Sequence, residues 1–128
     1  MIKIPFLKSY KRISYSQGGE DIIVSDILKS LKIGKPYYLD IGTYHPSILN
    51  NTYLLYLQGG RGVCVEPDPE CFSRIAKRRN RDICLNVGIG TDRKQAKKFF
   101  VMKDKVLSTF LEKEAKKNSE AGDGIQKV

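Results

Sequence analysis

Residues 37–69 of the chain read YYLDIGTYHPSILNNTYLLYLQGGRGVCVEPDP, and this stretch decides the fold. Its first apolar run, from Tyr37 to Gly42, ends in an acid and a glycine, which predicts a buried strand that enters a tight turn. A second apolar run, from Gly62 to Glu66, predicts another strand. Between the two runs, residues 48–57 have helical spacing, and the Gly59-Gly60 pair can end a helix in the left-handed conformation. The stretch therefore predicts a strand, a helix and a second strand.

The helix pattern continues on both sides of this stretch. Upstream, the spacing of apolar residues predicts a helix over 19–31, with Ser16 as its N-cap and with Gly34 and Pro36 closing it. Downstream, Asp68 can cap a helix whose first turn suits Pro69 and which runs to about residue 79. The residues that this helix is expected to bury are Phe72, Ile75 and Ala76.

A third strand is predicted over 82–87, where the apolar run ends in Gly88-Ile89-Gly90. Strands that alternate with helices through short connections are typical of a parallel sheet, so we predict an α/β fold with three layers.

Beyond the third strand, residues 97–102 predict one more strand and residues 110–117 a weakly amphipathic helix. Residues 1–15 are expected to be an N-terminal extension and residues 118–128 a mobile polar tail. Three parallel strands are few for such a sheet, so we expect a single domain over 1–128 that is the first half of a longer one.

Composition limits the class of protein. The 128 residues carry 23 Lys and Arg against 14 Asp and Glu, a formal charge of +9, and 41% of them are apolar. A chain of this length forms at most one globular domain. Its apolar residues fall in ordered runs, which argues against intrinsic disorder, and no run is long enough for a membrane-spanning helix. The N-terminus lacks the features of a secretory signal, so we expect a cytoplasmic protein.

Cysteine and histidine do not form a metal-binding pattern. The three cysteines, Cys64, Cys71 and Cys84, are expected to be reduced core residues because two of them lie in apolar, strand-like runs. No CxxC pair occurs, and His45 is the only histidine. We therefore predict no metal site.

The residues that follow the predicted strands are the candidates for ligand binding, because open α/β sheets bind ligands at the carboxyl ends of their strands. Gly42 would let a ligand approach the backbone closely, and Glu66 could accept both hydroxyls of a ribose. The loop after Gly42 lacks the further glycines of a dinucleotide fingerprint, which disfavours a nicotinamide-dependent redox enzyme. Asp40 would repel phosphates and favour a cationic ligand such as S-adenosylmethionine.

Four motifs in this order and spacing resemble one family. They are Ser16-Gln17-Gly18-Gly19-Glu20-Asp21, the stretch Tyr38 to Pro46, Asn51-Thr52-Tyr53, and the stretch Gly59 to Pro69. Together they resemble the FkbM-type S-adenosylmethionine-dependent methyltransferases over residues 16–110. The resemblance implies a class I methyltransferase fold, a Rossmann-like three-layer sandwich on a seven-stranded mixed sheet, of which this chain holds the first half. It also implies methyl transfer, typically to a hydroxyl of a sugar or other secondary metabolite, with a small-molecule or glycan acceptor as partner.

The resemblance further implies roles for individual residues. Asp40 and Gly42 would lie under the methionine part of the cofactor, and Glu66 would hold the ribose. Asp68, Asn86 and Gly88 would border the adenine. The full set of implied cofactor-binding residues is Gln17, Asp40, Gly42, Thr43, Glu66, Pro67, Asp68, Asn86 and Gly88. The implied reaction is a direct displacement in which the hydroxyl oxygen attacks the methyl carbon, and His45 is the candidate catalytic base because it is the one imidazole and lies in the right loop.

The sequence departs from the family at two points. Gly60 stands where members usually have an aromatic residue, and the fourth strand with its acidic ending is absent. These departures argue against methyltransferase activity of this polypeptide alone.

The same residues also allow purely structural interpretations. Asp40 with Gly42 could form a capped turn between strand and helix, and Glu66 could be a surface carboxylate before a proline turn. Gln17 could belong to the cap of the first helix. His45 could order the turn before the next proline rather than act as a base.

The second half of the sequence is strongly basic and suggests an alternative function. Residues 74–117 contain fourteen Lys and Arg against five acids, a surplus that could bind nucleic acid. However, no aromatic residue is interleaved with the basic run 74–81, and its helical spacing puts the charges opposite Phe72 and Ile75, as in a solvated helix. The alternative is a non-catalytic basic α/β module that binds RNA or an acidic partner, and the sequence favours the methyltransferase over it.

Overall fold

The computed structural model describes residues 11–90 and 97–127, which form an α/β fold. The α-helices over these residues are α1 (Glu20–Ser30), α2 (Tyr53–Leu57), α3 (Pro69–Arg78) and α4 (Glu112–Glu120). The strands are β1 (Tyr37–Ile41), β2 (Arg61–Val65), β3 (Ile83–Leu85), β4 (Val101–Met102) and β5 (Ile125–Lys127), and a 3₁₀ turn spans Lys105–Leu107. In the described part of the chain, no helix has the length and apolar character needed to cross a membrane.

The main sheet has the order β1-β2-β3, and both of its strand pairs are parallel. The three strands that the sequence predicts are thus confirmed, with ends that differ by one or two residues. Because both pairs are parallel, the carboxyl ends of all three strands lie along one edge of the sheet. That edge is where the functional site is to be sought.

Two predicted helix ends are confirmed in atomic detail. The Asp68 carboxylate accepts hydrogen bonds from the backbone N–H groups of Glu70 (2.8 Å) and Cys71 (3.1 Å) and so caps α3, with a proline in the first turn. After α2, Gly59 has a φ of +92°, and the Gly60 N–H reaches back to the carbonyl of Leu55 at 2.9 Å. This is the left-handed C-terminal turn that a glycine allows without a steric penalty.

The predicted span of α1 is confirmed to within one residue at each end, but the capping residues predicted for it are wrong. Gly19 rather than Ser16 precedes the first helical residue, and Ser16 instead accepts a hydrogen bond from the Gly19 N–H at 3.1 Å. At the other end, Lys32 rather than Gly34 takes the left-handed conformation, with a φ of 59°, and Ile33 donates its N–H to Leu28 O at 2.8 Å. A lysine can occupy this position because the hydrogen bonds of the turn offset its backbone strain.

The main sheet has one covered face and one exposed face. Tyr38 and Cys64 point to the side of α3, where Asp82 accepts hydrogen bonds from both. On the opposite face, Leu39 is 62% exposed and Ile83 is 64% exposed. The prediction of three layers is therefore not met over the described residues. The reason is topological, since both crossovers step across the sheet in the same direction and right-handed crossovers then place both helices on the same face.

Packing differs from the prediction in α2 and α3. The helix expected over 48–57 begins only at Tyr53, because the preceding residues form a loop. In α3, Ile75 is buried as expected and Phe72 is half-buried, but Ala76 is exposed. Cys71 takes its place as the second fully buried residue of the helix.

Residues 97–127 form a second small unit. β4 and β5 pair in antiparallel fashion, and Phe100, Met102 and Ala115 form its apolar core. The segment expected to be a polar tail from residue 118 instead completes α4 and supplies β5. Its polar composition misled the prediction because β5 needs only backbone hydrogen bonds to pair with β4.

The predicted N-terminal extension packs against the domain where it is described. Residues 1–10 lie outside the described part of the chain. Tyr15 accepts the Asn50 N–H at 2.9 Å through its carbonyl, and its ring meets the ring of Tyr53 edge to face at 4.8 Å. Residues 11–15 therefore belong to the folded unit.

Candidate functional site

A hollow of about 620 Å³ lies at the carboxyl ends of the three parallel strands. We call it the strand-end hollow. Ile41 and Gly42 line it after β1, Glu66 and Pro67 after β2, and residues 87–90 after β3. Residues 105–106 and 108–111 of the second unit close it from the other side, together with Lys97 and Phe99. The three strand ends thus share one hollow, as the sequence predicts.

Glu66 is the buried carboxylate of this hollow, with only 6% of its surface exposed. Its Oε2 accepts the N–H of Tyr44 at 2.8 Å, and its Oε1 accepts the N–H of Asp68 at 2.9 Å. Burial raises the pKa of Glu66, and the two backbone N–H groups only partly oppose that effect. Because each carboxylate oxygen has a second lone pair, Glu66 can accept further hydrogen bonds from a ligand's hydroxyls.

The backbone around Gly42 is shaped for close approach. Gly42 has a φ of +76°, and a Cβ placed on it would have no heavy atom within 4 Å. Its N–H and that of Thr43 both reach the carbonyl of Val65, at 2.9 and 3.2 Å, which extends the sheet into the turn. Tyr44 also has a positive φ, 59°, an uncommon conformation for a side chain of this size. Such outliers occur where the surrounding structure over-determines them, often at functional sites.

Asp40 does not line the hollow. Its side chain lies on the covered face of the sheet, where Oδ2 accepts hydrogen bonds from Thr52 Oγ1 at 2.6 Å and Asn50 Nδ2 at 3.3 Å. Thr43 is also buried beneath the hollow, and its hydroxyl donates to the carbonyl of Asp40 at 3.2 Å. The predicted meeting of the Asp40 and Glu66 carboxylates at one ligand is therefore not what the structure shows. Successive residues of a strand point to opposite faces, so Ile41 is next to the hollow and Asp40 is not.

Asp68 and Asn86 serve the frame of the site rather than its surface. Besides capping α3, Asp68 accepts a hydrogen bond from Lys105 Nζ at 3.0 Å. Burial alone would raise the pKa of Asp68, but the hydrogen bonds from Lys105 and from the backbone N–H groups of α3 outweigh it and lower that pKa. Asn86 donates from Nδ2 to the carbonyls of Glu66 (2.8 Å) and Pro67 (3.0 Å), so it ties the ends of β2 and β3 together.

The remaining predicted residues lie on the hollow's surface. Gln17 and Pro67 line it, and so does Gly88. A Cβ on Gly88 would lie 2.2 Å from Cζ of Phe110, so the Phe110 ring packs directly on the glycine backbone. Of the nine residues predicted to bind the cofactor, the five that line the hollow are Gln17, Gly42, Glu66, Pro67 and Gly88.

His45 orders the turn in which it lies, as the structural interpretation of this residue expects. Its Nδ1 accepts the N–H groups of Ser47 at 3.1 Å and Ile48 at 3.0 Å, which assigns the ring proton to Nε2. Burial, followed by the positive charges of Arg74 and Arg78, lowers the pKa of His45. His45 does not line the hollow. The geometry favours a role in ordering the turn over a role as catalytic base.

Arg79 organises the loop under the hollow, whereas the basic run 74–81 was expected to form a solvated face. Its side chain is fully buried, and its Nε donates to the equally buried Asp82 Oδ2 at 2.8 Å. Nη1 donates to the Pro46 carbonyl at 3.1 Å and Asn50 Oδ1 at 3.3 Å, and Nη2 donates to Thr52 Oγ1 at 2.9 Å. The loop between β1 and α2 is thus attached to the end of α3.

The described residues contain no group of three or more His, Cys, Asp or Glu side chains arranged to hold a metal ion. Comparison with known proteins identifies no relative, since no family model, curated protein or solved structure matches the chain.

Proposed function

We infer that the chain is the cofactor-binding part of an S-adenosylmethionine-dependent methyltransferase that methylates a hydroxyl of a sugar or secondary metabolite. The observation that carries this proposal is the buried Glu66 at the end of the second of three parallel strands. A carboxylate at this point, held by two backbone N–H groups, is suited to accept the two hydroxyls of a ribose. The resemblance of the four sequence motifs supports the same family and the finer fold class.

The strand-end hollow fits such a cofactor in size and in chemistry. Its volume of about 620 Å³ lies within the range of small-molecule sites, roughly 300 to 1,000 Å³. Glu66 would hold the ribose, the open backbone at Gly42 and the side chain of Gln17 would border the methionine part, and Pro67 and Gly88 would border the base. The bound cofactor would supply a methyl group attached to a positively charged sulfur.

The protein's contribution under this proposal is binding and alignment. The residues of the hollow bind the cofactor and exclude water, and the frame beneath them holds Glu66 in one orientation. Alignment of two reactants can contribute up to roughly 7 to 11 kcal/mol in well-oriented systems. No general base is assigned, because Nδ1 of His45 already accepts two backbone N–H groups and is not free to take a proton from a substrate.

Calorimetric titration of the 128-residue chain with S-adenosylhomocysteine tests the proposal. We expect saturable binding that Glu66→Gln weakens about tenfold or more, because the neutral amide presents one N–H₂ donor where a second acceptor is needed. The matched control is Glu120→Gln, which removes an exposed acid in α4 and should leave the affinity unchanged. Absence of binding by the wild-type chain, or equal affinity of the Glu66→Gln chain, would refute the proposal.

A further inference from the structure

A second hollow, of about 250 Å³, lies at the opposite, amino-terminal ends of β1 and β2. It is lined by Lys35, Tyr37, Gly59 and Arg61. We call it the basal hollow. It shares no lining residue with the strand-end hollow, and the function proposed above makes no use of it.

The strand geometry makes three side chains converge on the basal hollow. Tyr37 and Arg61 are register partners on neighbouring parallel strands, so their Cα atoms lie about 5 Å apart and their side chains leave the same face of the sheet. Lys35 lies in the bend that leads into β1, two residues before Tyr37. The Lys35 side chain runs along Gly59, where a Cβ would lie 3.7 Å from its Cγ and Cε atoms.

The two cations of the basal hollow have no counter-charge within the part of the chain that the structure describes. Neither Lys35 nor Arg61 takes part in an ion pair or side-chain hydrogen bond there. Lys35 is not needed to cap α2 either. The carbonyls of Leu54, Leu55 and Tyr56 at that helix end already accept the N–H groups of residues 58–60. Two adjacent cations without an internal acceptor repel one another, and a bound anion would relieve that repulsion.

We propose that the basal hollow is a binding site for a phosphate group. Arg61 offers a planar fork of N–H donors, Lys35 offers an ammonium, and the Tyr37 hydroxyl can donate as well, which together match the oxygens of a phosphate. Tyr37 is 88% exposed, so its ring also presents a flat surface to any aromatic group that the phosphate carries. The ligand is thus either free phosphate or the phosphate of an aromatic ester.

Titration of inorganic phosphate into the isotopically labelled full chain, followed by the amide NMR signals of Gly59 and Arg61, tests the site. We expect saturable shifts of these signals. Arg61→Gln and Lys35→Gln should each weaken binding about tenfold or more, which corresponds to about 1.4 kcal/mol or more. Both residues are exposed, so neither substitution should change the thermal midpoint appreciably. The matched control is Lys29→Gln, the same charge change at an exposed position of α1, which should alter the affinity less than twofold.

A parallel titration with phenyl phosphate identifies the source of the phosphate group. If phenyl phosphate binds more tightly than inorganic phosphate, and Tyr37→Leu removes the difference, the site takes an aromatic ester. Equal affinities would assign it to free phosphate. The proposal is overturned if the signals of Gly59 and Arg61 do not shift, or if Lys29→Gln weakens binding as much as Arg61→Gln does, since binding would then reflect overall charge. These outcomes do not depend on whether the strand-end hollow binds S-adenosylhomocysteine.

Discussion

Replacing Arg79 with methionine should destabilise the fold severely, because it removes the charge that balances the buried Asp82. Both side chains of this pair are fully buried, with Nε and Oδ2 2.8 Å apart. Removing one partner of a buried ion pair typically costs about 3 to 5 kcal/mol, since the other charge stays buried without compensation. After the substitution Asp82 would keep the hydroxyl of Tyr38 and the N–H of Gly62, each at 2.9 Å, but no positive charge. We therefore expect a loss of about 4 kcal/mol.

A loss of this size is large against the stability of an ordinary small domain, about 5 to 15 kcal/mol. With an m-value of about 1.5 kcal/mol per molar urea, it would lower the unfolding midpoint by about 2 to 3 M. The matched control is Arg78→Met, which removes the same charge from an exposed position next to it and should change stability by no more than about 0.5 kcal/mol.

A double-mutant cycle separates the ion pair from the other contacts of Arg79. In the double variant Arg79→Met with Asp82→Asn, no buried charge is left without compensation. We expect it to be less destabilised than the two single losses added together, with a coupling energy of about 0.5 to 3 kcal/mol. The reasoning would be refuted if Arg79→Met lost less than about 1 kcal/mol, or no more than Arg78→Met. It would also fail if the double variant lost the full sum of the single losses.

Three further predictions concern the sheet and its helices, each measured by urea unfolding. Gly62→Ala should cost about 2 to 3 kcal/mol, because the added Cβ would lie 2.1 Å from the Tyr38 ring and 2.4 Å from its carbonyl oxygen; a neutral effect would mean that β1 moves freely. Asp68→Ala should cost about 0.5 to 2 kcal/mol through loss of the α3 cap, and no loss would show that the cap is dispensable. Leu39→Lys should leave stability within about 0.5 kcal/mol but reduce light scattering in concentrated solution, and a large destabilisation would show that the sheet face is covered.

The parts of the fold that the sequence predicts are those with local causes. Asp68 caps the helix that follows it, and Gly59 ends α2 in the left-handed conformation, because each acts on backbone groups within a few residues. The three strands could equally be predicted, since their apolar runs end at Gly or Pro. The loop before α2 could not be predicted, because it is held by the side chain of Asn50, which donates hydrogen bonds to the carbonyls of Thr43 at 3.2 Å and His45 at 2.9 Å. That contact depends on the tertiary position of Asn50 and leaves no periodic signal.

The candidate site likewise combines features that have local causes with features that depend on tertiary contacts. The strand-end rule located the hollow, and it placed Glu66 and Gly42 at its surface. The alternation of side chains along β1 could have shown that Asp40 and Ile41 face opposite sides, although not what Asp40 meets there. Arg79 follows the buried Ile75 by four residues and so lies on the same helix face, but the exposed basic residues around it indicated a solvated surface. Its partner Asp82 follows three residues later, outside α3, so the ion pair depends on how the chain turns after the helix and cannot be predicted from helical spacing.

The buried polar network and the strand-end hollow are connected through one loop. Arg79 donates to Asn50, and Asn50 in turn holds the carbonyls of Thr43 and His45, the two residues that flank Tyr44. Tyr44 then gives its N–H to Glu66, whose orientation is the central feature of the hollow. Buried polar contacts of this kind add little net stability compared with an apolar core, but they restrict a loop to one arrangement. The orientation of Glu66 therefore depends on a side chain at the end of α3 that does not itself line the hollow.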